Sequence, residues 1–196
     1  MYNYIKGKLD EVNPAYAIID CGGVGYLLEI TLNTYAEIKD MPDVKLLTHE
    51  VVREDAHLLF GFYTSAERDM FRLLLGVNGV GAATARMMLS SLTVDELSKA
   101  ILDQDVRRVQ KVKGIGAKTA QRILLELRDK VSNMEFQSSI SGSTVPSSAN
   151  ATEALSALVM LGFPRVASEK VVSKVVDTNP SASVEEIIKL ALAQGI

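Results

Sequence analysis

Cys21 is the only cysteine in the chain, so no internal disulfide framework and no cysteine-only zinc site can form. His49 and His57 are the only histidines, too few for a histidine-rich metal centre, and no metal ligand set or cofactor is expected. Tryptophan is absent and aromatic residues make up 6% of the chain. No apolar run reaches the roughly 18 residues that a membrane span needs. Met1–Lys6 lacks the charged-then-apolar pattern of a secretion signal. A soluble, cytoplasmic protein is the expectation. A Gly-x-x-x-x-Gly-Lys-Ser/Thr nucleotide loop is also missing. Gly114-Ile-Gly-Ala-Lys-Thr119 resembles one only superficially, because Ala117 precedes Lys118.

What is present is a motif that occurs twice. Val77-Asn78-Gly79-Val80-Gly81-Ala82-Ala83-Thr84-Ala85 recurs 35 residues later as Val112-Lys113-Gly114-Ile115-Gly116-Ala117-Lys118-Thr119-Ala120; seven of fourteen aligned positions are identical. A Gly-hydrophobic-Gly turn opening into a helix exposes backbone N–H groups, and its glycines permit positive φ and close approach. The helix N-terminus adds unpaired donors and partial positive charge, which together suit a phosphate. Two such turns suggest two neighbouring phosphates on a nucleic-acid backbone. The alternative is a pair of ordinary interhelical turns whose glycines serve geometry alone.

A net charge of −3 over 196 residues argues against nucleic acid until it is divided by segment. Residues 1–62 carry five Lys/Arg and ten Asp/Glu, whereas residues 63–132 carry twelve and eight. Positive charge is thus concentrated where the motif repeats, as in a backbone-binding module. The hydrophobic fraction of 47% marks a folded chain, and its 196 residues can hold one to three domains.

Residues 1–62 read as strands at Tyr2–Leu9, Tyr16–Cys21, Gly25–Thr31, Val44–Val52 and His57–Phe62, with one helical turn at Tyr35–Lys39. This pattern predicts an OB-fold-like β-barrel. Residues 63–132 read as helices: Ala66–Leu75 capped by Ser65, Val94–Leu102 behind the capping box Thr93-x-x-Glu96, Val106–Lys111 capped by Asp105, and Ala117–Val131. They predict an all-α tandem helix-hairpin-helix domain. Residues 133–150 contain a serine-rich stretch and only one charge, Glu135, and predict a flexible linker. Residues 151–196 predict a small three-helix domain, with helices over Thr152–Leu161, Arg165–Val176 and Val184–Ala193. The expected class is multidomain α+β.

Several residues stand out. Asn78, Gly79, Val80 and Gly81, with Lys113, Gly114, Ile115 and Gly116, form the candidate phosphate turns. Val80 and Ile115 are expected to tuck inward and fix each turn. Lys118 and Arg122 share a helix face at i and i+4 and are candidates for neutralising phosphate. Ala82 and Ala83 leave the first hairpin without a basic side chain, and Arg86 stands one turn later as a compensating cation.

Gly22-Gly23-Val24-Gly25-Tyr26, Val51-Val52-Arg53-Glu54-Asp55-Ala56, the two hairpins, the serine-rich stretch and Leu161-Gly162-Phe163 follow one another in an order that resembles the RuvA family of bacterial Holliday junction branch-migration proteins. The resemblance covers the whole chain. It implies a flat fourfold assembly, a homotetramer or two face to face as an octamer, that holds a four-way DNA junction open and square in recombination and repair. It implies two partners, the AAA+ motor RuvB and the resolvase RuvC, and no catalysis by the chain itself. Glu54 and Asp55 are implied to be an acidic pin at the junction centre. Without the resemblance they read as a solvated loop. Leu161 and Phe163 are implied to touch the motor; completing a marginal core is the other reading. Two competing functions are a generic helix-hairpin-helix DNA-binding module, with similar affinity for duplex and junction, and a DNA glycosylase/lyase using Lys118 as Schiff-base nucleophile. The latter needs an aspartate about 18 residues downstream, where this chain has Phe136.

Overall fold

The computed structural model describes residues 2–140 and 146–194, the side chains of 133–140 and 146–148 apart. They form two compact units, Met1–Met134 and Glu135–Ile196. The first opens with five strands, β1 (Tyr4–Val12), β2 (Tyr16–Asp20), β3 (Gly25–Ile30), β4 (Asp43–Val52) and β5 (His57–Phe62), with helix α1 (Leu32–Ile38) between β3 and β4. The strands close into a barrel in the order β1-β2-β3-β5-β4. All pairings are antiparallel except β3 with β5, which run parallel through Glu29↔Phe60 and Ile30↔Gly61. Closure leaves these strands no long edge to pair with another chain. Alternation fills the interior with Ile5, Ala17, Ile19, Leu28, Ile30, Val44 and Leu46.

β5 is buried on both faces. Gly61 sits inward, where a Cβ would lie 3.0 Å from both Leu28 Cδ2 and Leu46 Cδ1. Phe60 and Phe62 turn outward onto Phe71 of α2 (Ser65–Leu75), with ring centroids 5.0 and 4.8 Å away. The chain continues through α3 (Ala82–Ser91), α4 (Val94–Leu102), α5 (Val106–Gln110) and α6 (Ala117–Ile140). Their shared core includes Phe60 and Phe62, which welds barrel to helices.

A buried carboxylate strengthens that junction. Glu67 is 4% exposed. It accepts hydrogen bonds from Thr31 Oγ1 and from Thr34 Oγ1, the latter at 2.6 Å. Thr34 Oγ1 in turn accepts from the Tyr63 amide at 3.0 Å. Burial pushes the Glu67 carboxyl above the ordinary 4.5, against the opposing pull of the two threonine hydroxyls. The folded state therefore holds this proton more tightly than the unfolded chain. The resulting stability is complete below 4.5 and is lost as pH rises through the raised value. Urea midpoints of the wild type and Glu67→Gln, measured from about pH 4 to about pH 8, should diverge: the wild type loses stability relative to the variant as pH rises. Parallel curves would mean that Glu67 ionises as freely inside as outside.

The barrel, the tandem hairpins and the helical C-terminal region match expectation in kind, with shifted ends. Thr64, not Ser65, caps α2, its hydroxyl accepting from the Glu67 amide at 3.2 Å. Both hydroxyl residues satisfy the pattern; the one with extended backbone, at φ −113° and ψ 154°, is the cap. The capping boxes Thr93–Glu96 and Ser183–Glu186 and the Asp105 cap are present. The helical turn at Tyr35–Lys39 belongs to the longer α1, which starts behind the Thr31 cap.

The expected linker over 133–150 is helical at both ends. α6 continues to Ile140 and α7 (Pro146–Met160) begins with proline at its first position. No glycine or proline interrupts the chain between Gly116 and Gly142, so serine content alone does not stop the helix. Residues 141–145, the centre of that expected linker, lie outside the described residues. In the second unit α7, α8 (Arg165–Thr178) and α9 (Val184–Ala193) pack around Ala154, Leu158, Val172, Val175, Ile187 and Ala191.

Candidate nucleic-acid interface

The two hairpins share one backbone design. The amide of Val80 donates to the Val77 carbonyl at 3.0 Å, and that of Ile115 to the Val112 carbonyl at 3.2 Å. Each closes a four-residue turn whose third position is a glycine with positive φ, 91° at Gly79 and 89° at Gly114. Val77, Val80, Val112 and Ile115 are all buried in the helical core, so each turn is anchored on both sides of its tip. The expected inward role of Val80 and Ile115 is what the geometry gives.

The second glycine of each pair is different in kind. Gly81 has φ −89° and ψ 172°, open to any residue, and an added Cβ at Gly81 or Gly116 meets nothing within 4 Å. At Gly81 neither backbone conformation nor internal packing demands a glycine, and at Gly116 packing makes no such demand. The distinction within each pair is invisible in the sequence, where both positions simply read as glycine.

The N-cap of α3 is Gly81, which has no side chain to cap it, whereas α1, α2, α4, α5 and α9 are all capped by Thr, Asp or Ser side chains. Its first-turn N–H groups thus keep donor capacity for an external acceptor. Asn78, Lys113 and Lys118 are exposed around the two tips. Arg122 reaches from α6 across to the first hairpin, donating from Nη1 to the Asn78 carbonyl at 3.1 Å, with Glu126 Oε1 3.7 Å from its Nε. One guanidinium therefore ties the second hairpin's helix to the first hairpin's tip while remaining 40% exposed.

Arg86 does not compensate for the missing basic side chain of the first hairpin. It faces the barrel, donating from Nη1 to the Ala15 carbonyl at 2.9 Å and lying 3.3 Å from Glu29 Oε2. Nothing nearby in sequence marks this role, since both partners lie more than fifty residues away.

Glu54 and Asp55 occupy the tip between β4 and β5, both exposed, with the Arg53 amide bonded to the Ala56 carbonyl at 2.8 Å beneath them. Among the described residues neither takes part in an ion pair.

In the second unit, α7 ends in a reversal at Gly162, with φ 97°. The amide of Phe163 donates to the Leu158 carbonyl at 3.1 Å and that of Gly162 to the Val159 carbonyl at 3.0 Å. This C-terminal motif draws the residue after the glycine onto the helix's last turn. Phe163 accordingly packs against the small core, while Leu161 is 64% exposed, and Met160 and Val166 are exposed too. The two expected contact residues therefore separate into one packed and one outward.

No helix among the described residues is long and apolar enough to cross a membrane.

Three family models match in succession: RuvA N terminal domain over residues 1–61, SAM-like helix-hairpin-helix tandem over 71–129, and RuvA C-terminal domain over 149–194. Among similar proteins, one from Christiangramia forsetii is 48% identical over 98% of both chains, and one from Flavobacterium psychrophilum 47% over 98% of both. A third, from Bacteroides thetaiotaomicron, is 44% identical over 98% of both. Each is named Holliday junction branch migration complex subunit RuvA. With matched models along its length, relatives at this identity, a closed barrel and two hairpin turns of one design, the chain belongs to the RuvA family.

Proposed function

We propose that the chain binds four-way junction DNA by shape and backbone, holds it open and square, and recruits the motor RuvB for ATP-driven branch migration in recombination and repair. The observation that carries this reading is the pair of hairpins, anchored by buried Val80 and Ile115 and cross-linked by Arg122, with an uncapped helix start behind the first. Two amide-lined sites held at a fixed separation suit successive phosphates of one duplex arm and read no base edges. Glu54 and Asp55 are the acidic pin. Two carboxylates per chain, brought together in a fourfold ring, repel phosphate at the crossover and favour an open junction over continuous duplex. The assembly is a homotetramer or a face-to-face octamer that can share the junction with the resolvase RuvC. The outward Leu161, with Met160 and Val166, is the motor contact of the second unit, and Phe163 supports it from the core.

The chain acts as a non-catalytic subunit. A lyase reading lacks the aspartate expected about 18 residues downstream, where Phe136 stands, and Lys118 is exposed rather than held in an apolar pocket.

The test is competition at about 0.15 M salt between labelled four-way junction and excess linear duplex of the same sequences. The junction should stay bound; equal competition by duplex would reduce the chain to a general backbone binder. Lys118→Ala with Arg122→Ala should weaken binding and lower the slope of log K against log salt, by up to about 0.9 for each phosphate left without its cation. Removing the Arg122 bond to Asn78 should add about 1 kcal/mol of destabilisation. An unchanged slope would remove both residues from the interface.

A further inference from the structure

A second set of cations lies outside the repeated hairpins, on α5. Arg107 and Arg108 sit within it and Lys111 is its C-cap. The cap keeps right-handed helical angles, φ −65° and ψ −19°, so Arg107 and Lys111 stand one turn apart on one face, both exposed. Arg108 is different: its Nη2 lies 2.8 Å from Glu96 Oε1. Asp105, which lines one groove with these three cations, accepts from the Arg108 amide at 3.0 Å as the helix cap. Among the described residues, neither Arg107 nor Lys111 has a carboxylate within ion-pair distance. α5 thus presents one neutralised cation and two that are not.

Those two line a groove of about 870 Å³ together with Arg108, Asp105, Val112 and, at the end of α3, Ser91 and Leu92. The groove reaches Val112, whose carbonyl closes the second hairpin by accepting from the Ile115 amide. Val112 thus belongs both to the groove lining and to the turn, and the next residue, Lys113, is exposed. Arg107, Lys111 and Lys113 continue the positive character of Gly114–Gly116 away from the hairpin tip. Guanidinium and ammonium groups spaced along an open groove suit a chain of phosphodiesters. A protein carboxylate would also meet these cations, but continuity with an amide site built for phosphate favours the nucleic-acid backbone.

We infer that this groove is a third phosphate-backbone site, in which Arg107 and Lys111 take the sugar–phosphate strand of a duplex arm as it leaves the second hairpin. The inference rests on the junction-binding function proposed above and extends the interface beyond the hairpin repeat. The contact is sequence-indifferent and lengthens the footprint on each arm.

The test is the salt dependence of junction binding by the full chain carrying Arg107→Ala with Lys111→Ala, beside the wild type and Arg107→Lys. Both side chains are exposed and outside the core, so the melting curve should not move. The slope of log K against log salt should fall by about 1.8 when two phosphates go unneutralised, with affinity at about 0.15 M salt down roughly tenfold or more. Arg107→Lys should keep the slope. Parallel salt plots for wild type and double variant would overturn the assignment. So would an unchanged slope with a smaller mass by light scattering, which would make the groove a seat for a neighbouring copy. If the wild type itself shows no salt-dependent junction binding, the underlying function fails, and this inference with it.

Discussion

Aspartate at Gly81 and Gly116 is expected to raise the melting temperature and to weaken junction binding severely. The extended backbone of Gly81, φ −89° and ψ 172°, is that of an ordinary N-cap, and an added Cβ meets nothing within 4 Å at either position. Gly116 stands in the equivalent place, its carbonyl accepting from the Ala120 amide at 2.9 Å. A carboxylate there accepts from first-turn amides and opposes the positive end of the helix. It also removes the extra freedom of glycine from the unfolded chain. Together these effects stabilise by about 1 kcal/mol per site, which moves the melting temperature by a few degrees. The same carboxylate occupies the donors that a phosphate would use and repels it. Removing two charge-assisted hydrogen bonds at about 1.5–3 kcal/mol each lowers affinity by roughly a hundredfold or more. Alanine at Gly79 and Gly114 should act in the opposite direction on stability. Their φ angles of 91° and 89° cost a side chain about 1–2 kcal/mol each. Calorimetry and junction titration on the two pairs of variants separate the roles. Wild-type affinity in the aspartate pair would mean that the amides hold no phosphate.

Neutralising the proposed pin should change selectivity more than affinity. With Glu54→Gln and Asp55→Asn, the loop keeps the Arg53–Ala56 backbone bond beneath it and gives up only charge. A carboxylate about 8 Å from a phosphate costs roughly 0.5 kcal/mol in water before screening. Physiological salt reduces this, with a Debye length of about 8 Å. In the fourfold arrangement proposed above, several such pairs sum to about 1 kcal/mol. Duplex affinity should therefore rise about five- to tenfold, junction affinity should rise less, and the ratio between them should narrow. Titrations of both DNAs at one salt concentration decide it. A constant ratio would show that the two carboxylates never face the DNA.

The parts legible in the sequence are those carried by local periodicity or repetition. The barrel strands alternate, the capping boxes sit three residues apart, and the hairpin copies itself with its glycines in register. What the sequence hides is pairing across long separations. Arg86 reads as a spare cation near the first hairpin, but its partners are Ala15 and Glu29 in the barrel. A glutamate in a helix's first turn is ordinarily a surface residue, yet Glu67 accepts from Thr31 and Thr34, more than thirty residues earlier. Arg122 reads as a phosphate ligand only; its bond to the Asn78 carbonyl depends on how two hairpins pack, which periodicity does not report. Leu161 and Phe163 are indistinguishable as apolar neighbours until the left-handed Gly162 sends one outward and the other back onto Leu158. The helical extension of α6 to Ile140 is masked by composition: serine lowers helix propensity only slightly, and no breaker is there to stop the turn-by-turn hydrogen bonding.

The hairpin tips present main-chain amides where a side chain is absent, with Ala82 and Ala83 following the first turn. An amide offers every phosphate the same bond whatever base it carries. In the binding mode proposed above, DNA drawn across such a surface meets an evenly corrugated potential, with wells repeating at the phosphate spacing and equal in depth along any sequence. Side-chain readers would make that landscape rugged, and each favourable base pair would become a place to stall. The glycine turns then act as a bearing: they grip the duplex against lateral escape while leaving its axial friction low and independent of the genetic text passing through.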